Sequence, residues 1–113
     1  MLAKENRLLR AEDFRATMKN GRKHASANLV VYSKRDSAAA WSRFGFVVAK
    51  SVGGAVTRNL VKRRLRALAR PTISTLPSGT SVVVRALPGS ATLDWNTLSS
   101  EFNSALAKSL DGR

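Results

Sequence analysis

A chain of 113 residues, 43% of them hydrophobic, has the size and apolar content of one domain, 1–113, with a modest core. Its formal net charge is +13 and is unevenly placed: residues 1–70 hold seventeen Lys/Arg against four Asp/Glu, and residues 71–113 hold three of each. The absence of cysteine excludes disulfides and thiolate metal sites, and self-repulsion on this scale points to a polyanionic partner: nucleic acid first, an anionic membrane surface second, acidic proteins third.

The N-terminal "MLAKENRLLRAEDF" has no uncharged run long enough for a signal-peptide core. No apolar stretch approaches the ~20 residues of a transmembrane helix. The expected location is therefore the cytoplasm, and a cysteine-free chain fits a reducing compartment. Residues 11–21, "AEDFRATMKNG", read as a short helix. Glu12 and Asp13 suit its positive end, Lys19 its last turn and Gly21 its stop, while Phe14 and Met18 share a face. The basic stretch around His24 reads as an exposed loop. "NLVVYSK" (28–34) reads as a strand, as does "RFGFVVAK" (43–50), which alternates Phe44, Phe46 and Val48 against Arg43, Gly45, Val47 and Ala49. The stretches 36–42, 70–80 and 87–92 read as loops between elements. "TSVVVRAL" (80–87) is expected to be a central strand. Residues 93–110 place Trp95, Leu98, Phe102, Leu106 and Leu110 at spacings of three and four, an amphipathic helix that Asp94 is placed to cap. The order predicts an α+β fold, a two-layer sandwich of αβββαβα type.

Between the second and last of these strands lies "KSVGGAVTRNLVKRRLRALAR" (50–70), with seven basic residues and no acidic one. A helical wheel from Ala55 to Arg70 gathers Val56, Leu60, Val61, Leu65 and Leu68 on one half. Arg58, Lys62, Arg66 and Arg70 recur every four residues on the other, with Arg63 alongside. Arg64 alone falls inside the apolar arc, where its stem is expected to snorkel out. Like charges four apart destabilise an isolated helix by about 0.2–0.5 kcal/mol per pair. A phosphate backbone turns that liability into salt-dependent affinity, because each neutralised phosphate releases counterions. Gly53 and Gly54 lead into this helix. They do not form a Walker A loop, since the second is not followed by Lys-Ser/Thr.

No catalytic constellation is legible. The acids Glu5, Glu12, Asp13, Asp36, Asp94, Glu101 and Asp111 are scattered, and Glu12 and Asp13 point to different helix faces. A metal-dependent nuclease needs clustered carboxylates. With His24 the single histidine, a two-histidine acid–base pair is impossible. An RNA-binding module is the preferred class. A ribosomal or RNA-assembly structural protein would share its charge and form, a protein-only nuclease lacks its carboxylates, and a membrane-surface role lacks an aromatic anchor on the basic helix.

The stretch "RFGFVVAKSVGGAVTRNLVKRRLRALAR" resembles the signature region of the bacterial ribonuclease P protein family, R-x-G-F-x-x-x-K, G-N-A-V, R-N-x-x-K-R-x-x-R. "NRLLRAEDF", "LVVYSK" and "SVVVRALPGSAT" with the final helix extend the resemblance over nearly the whole chain. The resemblance implies the small subunit of a ribonucleoprotein that removes the 5′ leader of precursor tRNA. Its partners would be ribonuclease P RNA and precursor tRNA, with no protein partner required and no membrane. The RNA subunit would carry the chemistry and hold the Mg2+, leaving no catalytic and no metal-ligating residue in this chain. Lys50, Arg58, Asn59, Lys62, Arg63, Arg66 and Arg70 would bind the RNA subunit. Phe14, Met18, Val30 and Tyr32 would line a cleft for the single-stranded leader, where apolar and aromatic side chains meet unstacked bases. The basic helix would sit in a left-handed βαβ crossover, against the general right-handed rule. Two positions depart from the family pattern: Gly54 stands where Asn is usual, and Met18 where an aromatic is common. Phe14, Val30 and Tyr32 also suit a hydrophobic core. Val30 and Tyr32 share one strand face, so a C-terminal helix lying over that face would decide against the cleft.

Overall fold

The structure is a computed structural model that describes residues 2–36 and 38–111; Ser37, within the expected 36–42 loop, lies outside them. The chain runs α1 (Ala11–Asn20), β1 (Arg22–Ala25), β2 (Leu29–Arg35), β3 (Arg43–Val48), α2 (Ala55–Thr72), β4 (Thr80–Ala86) and α3 (Trp95–Asp111). The four strands form one mixed sheet in the order β1-β2-β4-β3. β1–β2 and β2–β4 are antiparallel, and β3–β4 is parallel. This is an α+β fold in the αβββαβα order. Parallel neighbours need a long crossover, and α2 supplies it.

The period-two alternation sorts the sheet into two faces. Leu29, Val31, Phe44, Val48, Val82 and Val84 belong to the larger core, together with Val61 and Leu65 of α2 and Leu98 and Phe102 of α3. The Phe44 and Phe102 rings lie 6.2 Å apart, and Phe46 stacks beside Phe44 at 6.0 Å. Sheet, α2 and α3 make the two-layer sandwich. α1 lies across part of the opposite face, where Phe14 and Met18 pack against Leu8, Val30, Tyr32 and Val83. Two glycines permit its close approach. A Cβ on Gly21 would sit 2.7 Å from the Ser33 carbonyl oxygen of β2, and one on Gly45 would sit 2.5 Å from the Phe14 ring.

Several expectations need correcting. His24 is in strand β1, half-buried and paired opposite Val31, not in an exposed loop. "RKHA" has no β-branched residue to announce a strand; pairing with β2 imposes it. The second strand ends at Val48, because residues 50–52 form a short 3-10 turn, and α2 continues two residues past Arg70 through Pro71. Val56 is 85% exposed and Leu60 is exposed too, so only the later part of the apolar arc (Val61, Leu65, Leu68) faces the core. At about 100° per residue, Leu60 and Val56 lie more than a right angle from the centre of the Val61, Leu65 and Leu68 stripe, so they fall at the edge of the apolar half and turn to water. Trp95, the first residue of α3, is exposed rather than part of the buried stripe. Arg64 does more than snorkel: its Nη1 donates to the Leu93 carbonyl at 2.8 Å, tying α2 to the segment before α3.

Asp94 caps α3 as expected, its Oδ1 accepting the Thr97 N–H at 2.9 Å. Within α3, Glu101 clamps the β1–β2 turn. Its carboxylate accepts the Asn28 backbone N–H at 2.6 Å, the Asn28 Nδ2 at 2.9 Å and the Ser26 hydroxyl. Burial pushes the Glu101 carboxyl up, but the hydrogen bonds from Ser26, Asn28 and the Leu29 backbone outweigh it and hold the group below the usual range. A carboxyl depressed in the folded state stabilises fully above its unfolded pKa and loses that contribution as pH falls through its folded one. Glu101→Gln is therefore expected to destabilise the protein at neutral pH by about 1–3 kcal/mol. The gap to the parent should narrow progressively below about pH 4.3, as read by denaturant titration across pH. A gap constant with pH would remove the charge from the clamp.

At the start of α2, Gly53 has φ 158° and ψ −172°, and a Cβ there would approach Thr57 Cγ2 to 2.8 Å. The N-cap Gly54 has ordinary φ −70°, with open space around an added Cβ. Gly53→Ala is expected to cost about 1–3 kcal/mol. Gly54→Asn, which puts a capping side chain into that open space, should add a few tenths at about the scale of an N-cap exchange. Equal losses at the two positions in denaturant unfolding would contradict this account.

Candidate nucleic-acid interface

Two surfaces gather the residues that the sequence singles out. The first is α2. Its eighteen residues contain no acid. Asn59, Arg63 and Arg70 are exposed; Arg58, Lys62 and Arg66 are half-exposed; and Lys50 stands exposed on the 50–52 turn just before the helix. All seven share this one element and its approach. Among the described residues the recorded ion pair is Arg43–Asp13 at 3.5 Å, so none of these cations is neutralised by a carboxylate. Arg58 is oriented by its own backbone, since its Nε donates to the Gly53 carbonyl at 3.1 Å. That contact uses Nε alone and leaves the two terminal nitrogens for a second acceptor, the fork that suits a phosphate. Arg64, by contrast, spends a donor on Leu93 and sits in the field of Asp94, whose carboxyl the Thr97 side chain and backbone hold down, with Arg64 adding to the effect.

The second surface is the cleft between α1 and the sheet. Phe14 and Met18 project from α1 and are half-buried; Val30 and Tyr32 rise from β2 and are 8% and 7% exposed. The four belong to one apolar cluster. α3 lies on the other face, where Ser33 Oγ donates to the Ser109 carbonyl at 2.8 Å. The condition that would have ruled out the cleft is not met. Val30 and Tyr32 form its nearly closed floor, and the more open apolar lip comes from Phe14, Met18, Val47 and Leu87.

Register adds residues that sequence reasoning missed. Paired residues share a sheet face. Arg85 of the central strand pairs with Val30 on one side and Val47 on the other, so it stands on the cleft face, and it is exposed. Lys23 pairs with Tyr32, and Lys34 with Ser81, placing two more cations on that face. The signal was present in "TSVVVRAL": a lone charge two residues after Val83 marks an alternate position open to solvent. The cleft thus combines an apolar floor with cationic edges. β3, one of the sheet's two edge strands, belongs to both surfaces. Phe44, Phe46 and Val48 look toward the α2 layer, and Gly45 and Val47 look toward α1.

Among the described residues no group of three or more His, Asp or Glu converges to hold a metal ion, and no helix is long and apolar enough to cross a membrane.

Comparison with known proteins agrees with this geometry. The Ribonuclease P family profile matches residues 2–110. The ribonuclease P protein component of Streptomyces avermitilis is 45% identical over 120 residues, covering 99% of this chain and 98% of the relative. That of Kocuria rhizophila is 47% identical over 107 residues, covering 95% and 94%. In three dimensions, a Staphylococcus aureus RNase P protein mutant superposes with a TM-score of 0.85 at 25% identity, over 93% of this chain and 88% of the other. The RNase P protein from Thermotoga maritima superposes at 0.79 with 26% identity, over 91% and 96%. Match over almost the full length, in sequence and in fold, makes this chain a member of the ribonuclease P protein family.

Proposed function

We propose that the chain is the protein subunit of a ribonuclease P ribonucleoprotein, assisting endonucleolytic removal of the 5′ leader from precursor tRNA in the cytoplasm. The observation that carries this reading is the α2 stripe: an unbroken cationic helix face with no carboxylate of its own to neutralise it. Lys50, Arg58, Asn59, Lys62, Arg63, Arg66 and Arg70 dock on the phosphates of the RNA subunit. The cleft of Phe14, Met18, Val30 and Tyr32, with Arg85 and Lys23 at its edges, receives the single-stranded leader. Unstacked bases meet the apolar lip and the cations meet the backbone. The edge strand β3 lies between the two surfaces, which lets one small protein bridge catalytic RNA and substrate.

The Mg2+ of such an enzyme supplies the water-activating and charge-neutralising chemistry of phosphodiester cleavage. The donor set of this chain does not fit a site for it: among the described residues no three carboxylate or imidazole side chains converge, and Asp13 of the Glu5–Asp13 groove is paired with Arg43. The reading therefore leaves the metal with the RNA and gives the protein no catalytic residue. The protein's work is binding, orientation and charge neutralisation.

The direct test is precursor-tRNA cleavage at low magnesium with the cognate RNA subunit, the protein, or both. Efficient cutting at the mature 5′ end by the mixture alone is expected. Cutting by the protein alone would reveal an active site in the chain, and no gain over RNA alone would end the proposal. In binding assays, Arg58→Ala with Lys62→Ala should weaken RNA-subunit affinity and reduce the slope of log K against log salt by roughly 1.5, leaving the fold intact. An unchanged slope would take α2 out of the interface. Arg85→Ala, an exposed position, should weaken leader-bearing precursor by about tenfold and spare mature tRNA. Tyr32→Ala should discriminate in the same sense while also lowering stability, because Tyr32 is buried. Equal loss for precursor and mature tRNA in both variants would sink the cleft assignment.

A further inference from the structure

Past the N-terminal end of α1 lies a surface that neither the α2 stripe nor the cleft uses. Trp41 is 57% exposed and Leu9 is 59% exposed. Both line a groove of about 570 Å³ together with Lys4, Arg7, Arg10 and Arg43. Two carboxylates share it, Glu5 and Asp13, and Asp13 is already paired with Arg43. The balance of charge in the groove is therefore cationic, and its two large apolar side chains are turned to water.

The platform under Trp41 is fixed. Its neighbour Ser42 is buried and held three ways: the Ser42 carbonyl accepts Asn6 Nδ2 at 2.8 Å, its hydroxyl donates to the Pro77 carbonyl at 2.8 Å, and the same oxygen accepts the Thr80 N–H at 3.1 Å. The opposite wall is fixed as well. The Leu8 N–H donates to the Phe44 carbonyl at 2.9 Å and Arg7 bridges Phe44 in parallel, so residues 7–9 run along the outer edge of β3. Leu8 turns into the cleft cluster, and Leu9 stays outside.

The groove also continues the cleft. Arg43 precedes Gly45 by one alternation on the same face of β3, and Asp13 adjoins Phe14, whose ring lies over Gly45. A single strand leaving the cleft at this end would pass an indole face and then a row of guanidinium and ammonium groups. That combination suits single-stranded nucleic acid: stacking tolerates any base, and the cations follow the backbone.

We propose that the groove of Trp41, Leu9, Lys4, Arg7 and Arg10 is an outer subsite for single-stranded RNA, extending the leader path beyond the cleft. Trp41 stacks on one base, Leu9 supports it, and Arg7, Arg10 and Lys4 hold the flanking phosphates. The inference rests on the leader-cleft reading and adds to it a dependence on leader length.

The test uses the full chain assembled with its RNA subunit. Trp95→Phe leaves Trp41 as the only tryptophan of the two in the sequence, so its fluorescence reports the groove. Precursor tRNAs with leaders of about three and about ten nucleotides, lengths below and within the range of single-strand sites, are titrated against it. Quenching by the long leader and not by the short one is expected. Trp41→Ala should lower affinity for the long-leader precursor by roughly tenfold and leave the short-leader precursor unchanged, with Trp41→Phe recovering most of the loss. Arg7→Gln with Arg10→Gln should flatten the salt slope for the long leader alone. Equal quenching by both leaders, or a Trp41→Ala loss that ignores leader length, would overturn the subsite. Arg85→Ala separates the two levels of the argument. If it discriminates precursor from mature tRNA while Trp41→Ala has no effect, the subsite fails and the cleft stands. If neither variant discriminates, the cleft reading falls and the subsite falls with it.

Discussion

The parallel pairing of β3 with β4 governs the placement of the cationic helix α2. Two parallel neighbours cannot be joined by a tight turn, so the chain must leave the end of β3, cross a face of the sheet and return to start β4 in the same direction. The segment that makes this journey is α2. Its position on the α3 side of the sheet is fixed by Val61, Leu65 and Leu68, which meet the Phe44 and Val82 side of the strands. Once that face is committed to the core, the recurrence of Arg58, Lys62, Arg66 and Arg70 every four residues turns the cations to solvent together. The stripe is thus a consequence of topology plus helical period, and no ion pair is needed to orient it. Its electrostatic self-repulsion is borne by the hydrophobic contact beneath.

The same pairing leaves the opposite face of β3 and β4 only partly covered. α1 spans the part nearest Phe14 and Met18, and the rest presents Arg85 and Lys23 around Val30 and Val47. A sheet with one face sealed by two helices and the other crossed by one short helix has a recess built in. The larger core supplies the stability, so the smaller cluster is free to stay shallow.

Much of this was legible in the sequence because it rests on periodicity. The four-residue spacing of Leu98, Phe102 and Leu106, the alternation of Phe44, Phe46 and Val48, and the four-residue recurrence of the α2 cations each survive as drawn. What was not legible depends on where elements end and what they lie against. Val56 and Leu60 fall in the apolar half of the α2 wheel, but at its edge, more than a right angle from the buried Val61, Leu65 and Leu68, and stay in water. β1 has no strand-forming side chains, and it exists through its pairing with β2 and the Glu101 clamp on its turn, a contact between residues more than seventy positions apart. Arg85 needed register: only the pairing of β4 with β2 and β3 shows that its side is the cleft side. Trp41 sat in a stretch that read as a loop, and its loop character is real, but its neighbour Ser42 is held by three hydrogen bonds.

Gly45 has a broader meaning for the cleft. The Phe14 ring rests against the β3 backbone at the point where any larger residue would place a methyl group. The separation of α1 from the sheet is therefore set by an atom that is absent. Adding that atom would lift the helix as a lever, with Gly21 near its far end as the fulcrum, and would widen the recess along its length. The gauge of the recess is in this sense a one-residue dial. The height of a helix, rather than the identity of any lining side chain, is what this position sets.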